Sequence, residues 1–298
     1  MKRYILLLQF LFCFICYGQV TTYYVQPIQT DASYSSTEDS SAISINSTTS
    51  INKLFLFIGG TNSSSSKDYN ALRLHTAKLG IDFINLSYLN SVAAASLKNS
   101  NDSLAFNKFR QEICFGTANS DAVLVDSLNS IYTRTVKLLK YLKSTRPSEN
   151  WSQYLLGDNT MDWSKIIVGG HSQGAGHAAY LAKKYRVERV LLFSGPNDYS
   201  DHFSNSANWL RQPGKTPVIN HFAYLSLNDE VVDLHNVVRS RIITSFFKLK
   251  GKKVTTFGKN RSDKKKIIEP AKAAYIKQAR AISSLHLDVE METGTGKT

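Results

Sequence analysis

Gly170-His171-Ser172-Gln173-Gly174 sets a serine between two glycines. Before it runs the apolar Lys165-Ile166-Ile167-Val168-Gly169, and after it the small-residue stretch Gly174-Ala175-Gly176-His177-Ala178-Ala179-Tyr180-Leu181-Ala182. A Gly-x-Ser-x-Gly pentapeptide between a β-branched strand and a narrow helix carries its serine on a sharp turn, hydroxyl outward, as a nucleophile. So tight a turn strains the serine backbone, and side chains at the flanking positions would strike the neighbouring strand and helix; glycine removes the collision. A serine hydroxyl is a poor nucleophile unaided. It needs a base, an acid that orients the base, and donors for the negative charge of a tetrahedral intermediate.

The elements that must hold such a serine alternate between strand and helix. Residues 21–28 read as a first strand, and 42–45 as a short one within a Ser/Thr-rich connection. Residues 53–58 are a buried strand that ends in Gly59-Gly60-Thr61. Helical spacing follows over 67–79 and stops at Gly80, where a C-cap belongs. Residues 81–88 form the next strand. Leu124, Leu128, Ile131, Thr135, Leu138, Leu139 and Leu142 then mark one face of a long helix over 121–143, ended by Pro147. Beyond the serine, 187–193 and 217–225 read as strands, and 87–109 and 197–215 as loops that shape a substrate pocket. The succession predicts an α/β fold: one domain built on a doubly wound, mostly parallel sheet, with its site at the strand C-termini.

The chain has 298 residues, 42% of them hydrophobic, enough for a full core. Residues 1–18, with Lys2-Arg3 before an apolar run, fit a secretory signal, leaving 19–298 as the folded domain of a secreted or periplasmic protein. Cleavage removes Cys13 and Cys16, so Cys114 remains alone and no intramolecular disulfide forms. Its apolar setting marks it as a buried packing residue. The formal charge of +13 is concentrated in 248–266, where nine Lys or Arg meet the single acid Asp263. That stretch reads as solvated loop. No nucleic-acid motif accompanies it, so nucleic acid is not an expected partner, and the membrane enters only through the signal segment.

With Gly60-Thr61, Trp151-Ser152-Gln153-Tyr154, Asp162-Trp163 and Gly-His-Ser-Gln-Gly, the chain resembles the α/β-hydrolase superfamily. More narrowly it is similar to a group of secreted bacterial serine hydrolases, over about residues 54–209. The resemblance implies the α/β-hydrolase fold and the chain order serine, acid, histidine. Asp229, at the end of the 217–225 strand, is the expected acid, with Asp198, one strand earlier, as its rival. Asp229→Asn is then expected to lower turnover by orders of magnitude and Asp198→Asn only mildly. His75, His171 and His177 precede the serine or sit in or beside its turn, and His202 and His221 precede Asp229. Of the two that follow, His235 reads as a packing or surface residue on the next helix and His286 as the base. The oxyanion donors are the backbone N–H groups of Gln173 and Thr61. The implied activity is hydrolysis of a small-molecule or polymer-borne carboxylic ester through an acyl-enzyme, without metal or cofactor. The same machinery would serve an amidase or peptidase, and a non-catalytic binding protein could keep the fold.

Overall fold

The structure is a computed structural model that describes residues 19–224. Six short α-helices and nine strands alternate along it: β1 (Val20–Val25), α1 (Pro27–Thr30), β2 (Ser41–Asn46), β3 (Leu54–Ile58), α2 (Asn70–Lys78), β4 (Asp82–Leu86), α3 (Ala105–Phe115) and α4 (Ile131–Thr145). There follow β5 (Ile166–His171), α5 (Gln173–Lys184), β6 (Arg189–Phe193), the two-residue strands β7 (Tyr199–Ser200) and β8 (Asn205–Ser206), α6 (Asn208–Arg211) and β9 (His221–Tyr224). Seven strands form one sheet in the order β1-β2-β4-β3-β5-β6-β9. β1 and β2 run antiparallel at one edge, and β4, β3, β5, β6 and β9 are all parallel.

Period-two alternation in β3 shows how the sheet is covered on both faces. Leu54, Leu56 and Ile58 point into the larger core, packed with residues of α3, α4 and α5. Phe55 and Phe57 point the other way, against Phe83, Ile167 and Leu191, where Tyr69, Leu72 and Leu79 at and around α2 close over them. Phe55 meets Phe57 and Phe83 edge-on, with ring centroids 5.8 and 5.2 Å apart. A strand buried on both sides reads as an unbroken apolar run, as β3 does.

Two expectations are corrected here. The helix expected over 121–143 begins ten residues later, at Ile131, where the Ser130 hydroxyl caps it by accepting from the Thr133 N–H. Residues 119–125 are instead gathered around the Glu112 carboxylate, which accepts from the backbone N–H groups of Asn119, Ser120 and Val125. Leu124, placed on the apolar face by periodicity, is 93% exposed. Within 87–109, read as loop, α3 already begins at Ala105, and Phe106, Phe109, Ile113 and Cys114 bury its inner face. Cys114 is wholly buried beside His177, and burial pushes its thiol up to about 12.

At the opposite end of the sheet, Asp82 opens β4 with its carboxylate buried, accepting one hydrogen bond of 2.7 Å from the Tyr154 hydroxyl. Burial raises its pKa from 3.8 to about 6, against the lowering effect of that hydrogen bond. The native state therefore favours protonated Asp82. Its stabilising share is whole below pH 3.8 and is lost as pH rises through about 6. Asp82→Asn keeps an acceptor for Tyr154 and removes the charge. Urea unfolding at pH 4, 6 and 8 should show the variant gaining on the wild-type chain by on the order of 2 kcal/mol over this range; parallel profiles would refute the assignment.

Candidate functional site

β5 ends at His171, α5 starts at Gln173, and the turn between them is Ser172 alone. Ser172 has φ 53° and ψ −118°, a left-handed conformation that strains a residue with a Cβ by about 1–3 kcal/mol. Hydrogen bonds hold it there: its N–H donates to the Phe193 carbonyl of β6 at 2.8 Å, and the Ala175 N–H donates to its carbonyl at 3.1 Å. The flanking glycines are required by contact. A Cβ on Gly170 would lie 2.3 Å from the Gly174 backbone, and one on Gly174 only 2.0 Å from the Ile58 carbonyl oxygen. Ser172 remains partly exposed, and its hydroxyl has no hydrogen-bond partner among the described residues.

The loop after β3 passes directly beside this turn. A Cβ on Gly60 would sit 3.4 Å from the Ser172 Cβ and 3.2 Å from the His171 Nδ1. The Thr61 hydroxyl donates to the Gln173 Oε1 at 3.1 Å, and that oxygen also accepts from the Ala94 N–H at 2.7 Å. Gln173 thus ties together the loops after β3 and β4 through its side chain. Neither the Thr61 N–H nor the Gln173 N–H donates to a described acceptor, so both expected oxyanion donors keep their hydrogen-bonding capacity.

Sequence reasoning missed Tyr69. The residue precedes α2 at φ 61°, and its hydroxyl accepts from the Gly60 N–H at 3.2 Å and meets the His171 Nδ1 at 3.1 Å. It therefore pins the β3 loop to the serine turn from below. Its signal was its neighbourhood: a lone aromatic just before the α2 repeat, far in sequence from either partner.

Arg110 was missed as well. Its fully buried guanidinium donates to both carboxylate oxygens of Asp198, at 2.9 Å from Nε and 2.6 Å from Nη2. A third donation, from Nη1, reaches the Gln173 carbonyl at 2.8 Å. The Trp209 Nε1 also donates to Asp198, at 2.8 Å. Gly176 leaves room for the cation, since a Cβ there would meet Nη2 at 2.2 Å. Asp198 is thus engaged by Arg110 and Trp209, an arrangement unlike that of an acid orienting a histidine.

Among the described histidines none hydrogen-bonds the Ser172 hydroxyl. His171 turns to Tyr69, and the Nδ1 of His221 faces the Pro217 carbonyl at 3.1 Å. His177 is wholly buried, its ring stacked on Phe109 and edge-on to Tyr88, and burial holds its pKa well below 6.5. His75 and His202 are exposed. Asp229, His235 and His286 lie outside the described residues. No described cluster of His, Cys, Asp and Glu could hold a metal ion, and no described helix is long and apolar enough to cross a membrane.

No family model matches the chain, and no curated protein matches it significantly.

The Arg110–Asp198 pair changes what substitution at Asp198 should do. A turn aspartate would tolerate asparagine, but here the change takes from a buried guanidinium its counter-charge and one of its three acceptors. Removing one member of a buried pair costs about 3–5 kcal/mol. Asp198→Asn should therefore lower stability by about 3 kcal/mol in chemical denaturation. A loss below about 1 kcal/mol would show that the pair is dispensable.

Proposed function

We propose that the chain is a secreted serine hydrolase of the α/β-hydrolase fold, cleaving carboxylic esters through an acyl-enzyme. The observation that carries this reading is Ser172: a non-glycine residue held at φ 53° between β5 and α5, with the N–H groups of Thr61 in the adjoining glycine loop and of Gln173 at the start of α5 both without an acceptor among the described residues. The strand order β1-β2-β4-β3-β5-β6-β9, with the serine at the C-terminal end of β5, the middle one of the five parallel strands, supports the fold assignment.

In this mechanism the Ser172 Oγ attacks the ester carbonyl carbon while its proton passes to the His286 ring. The carbonyl oxygen takes the electron pair and is held by the N–H groups of Thr61 and Gln173. Collapse expels the alcohol, which takes the proton from His286, and leaves an acyl group on Ser172. Water, deprotonated by His286, then attacks the acyl carbon, and the tetrahedral intermediate collapses to release the acid as the Ser172 Oγ takes the proton back from His286. Asp229 keeps the His286 ring in the productive orientation and stabilises its charge. The engagement of Asp198 by Arg110 supports Asp229 as the acid.

A fluorophosphonate probe should label Ser172, as read by mass spectrometry of the modified peptide, and Ser172→Ala should abolish labelling. Persistent labelling of the variant would move the nucleophile elsewhere. No labelling of the wild-type chain would favour a binding protein that keeps the fold.

The distal pair has its own test. Asp229→Asn and His286→Ala should each lower kcat on an aryl ester by about three orders of magnitude or more, and His235→Ala by less than threefold. Loss of activity with His235→Ala alone would make His235 the base.

A further inference from the structure

A cavity of about 200 Å³ opens at the C-terminal ends of β3 and β4, one residue along the chain from the loop that touches the serine turn. Gly59 and Ser63 form its near wall, and Asn85, Ser87, Leu89 and Asn90 line it further out. It is polar in an uneven way. Asn85, wholly buried in β4, spends its Nδ2 on the Ser65 carbonyl at 2.8 Å, while its Oδ1 has no hydrogen-bond partner among the described residues. The Nδ2 of Asn90 is likewise spent, on the Gly60 and Ser63 carbonyls at 2.9 Å each. The Ser87 N–H donates to the Ser41 hydroxyl, but no described residue hydrogen-bonds the Ser87 hydroxyl itself. The Asn85 Oδ1 is closed off as the wall stands, so the Ser87 hydroxyl is the group of this wall left open to a ligand, and a donor entering beside it would relieve the polar deficit behind.

The chemistry of that donor is narrowed by the charges at the rim. Asp39 already accepts from the hydroxyls of Ser64, Ser65 and Ser66 and from the Ser66 N–H, and Glu38 is paired with Arg134. Both carboxylates are occupied, so they offer little to a cation, yet their charge repels an anion. Leu86, Leu89 and Tyr88 add an apolar wall. A ring with several hydroxyl donors and apolar C–H faces meets all of these conditions, and the volume suits a single monosaccharide unit.

We propose that this cavity is a subsite for a neutral sugar, and that the chain acts on esters of carbohydrate hydroxyl groups. The inference rests on the hydrolase reading for its second half alone. A substrate whose ester carbonyl meets Ser172 would run along Gly60, which lies beside the Ser172 Cβ, to Gly59 and Ser87 in the cavity wall.

Two measurements on the full chain separate the halves. The first compares kcat/KM for a mono-acetylated methyl glucoside, ethyl acetate, acetylcholine and an aryl acetate, in the wild-type chain and in Ser87→Ala and Asn85→Leu. The second follows binding of methyl glucoside itself by saturation-transfer NMR. The acetylated glucoside should exceed ethyl acetate at least tenfold, and Ser87→Ala should lower the ratio of sugar-ester to aryl-ester kcat/KM about tenfold, through KM. Ser87→Ala serves where Asn85→Leu fails to fold, and methyl glucoside binding should weaken with it. Aryl acetate turnover with no sugar preference and no glucoside binding overturns the proposal and leaves the hydrolase standing. A preference for acetylcholine overturns it in favour of a cation site. Glucoside binding that depends on Ser87, without turnover of any ester, overturns the hydrolase reading and keeps the sugar site.

Discussion

The tightest contact made by any of the described glycines is that of the first turn of α5 with the end of β3. The Gly174 Cα lies so near the Ile58 carbonyl that a single added carbon would sit 2.0 Å from its oxygen. That contact fixes where α5 can start, and with it how far Ser172 is lifted from the sheet. It also brings the Gly59-Gly60-Thr61 loop to the side of the serine, because the residues after Ile58 have nowhere to go but around the turn. The strain at Ser172 is held by surrounding structure, as such strain must be. Its N–H is tied to β6, its carbonyl to α5, and the glycine at position 170 allows the backbone to double back.

Around this contact the buried polar groups work as ties between loops that the sheet alone would leave independent. Arg110 joins α3, the segment after β6 and the carbonyl of Gln173 through one guanidinium. Gln173 joins the loops after β3 and β4 through its side-chain oxygen, and Tyr69 joins the β3 loop to His171. Such ties are individually modest in net stability. Their effect is to make the geometry of the site single-valued, since each leaves a buried group unpaired if a loop shifts.

The serine turn was legible because its signal is local and doubly constrained. Gly170, Ser172 and Gly174 must occur together, and strand and helix must flank them, so a short window carries the whole pattern. The strands were legible for a related reason: β3, β4, β5 and β6 are buried on both faces and read as apolar runs. What could not be read depends on contacts distant in sequence. Residues 121–130 have helical periodicity, yet the Val125 N–H, with those of Asn119 and Ser120 just before, finds a better acceptor in Glu112, and the tertiary bonds override the local preference. Asp198 looked like any turn aspartate because its partner lies 88 residues away. The polar wall formed by Asn85 and Ser87 was hidden in and just after a strand whose apolar pattern says only that it is buried.

Cys114 carries a consequence of its burial. Its thiol is closed between α3 and α5, raised to about 12, and beside a histidine that stays uncharged. In the folded chain it is a silent nucleophile, neither ionised nor reachable. Alkylation there must wait for α3 and α5 to part, so the rate at which a thiol reagent modifies Cys114 is a clock for the opening of the scaffold behind the serine turn. Cys114 is the one cysteine among the described residues, and its position makes it a native gauge of local unfolding.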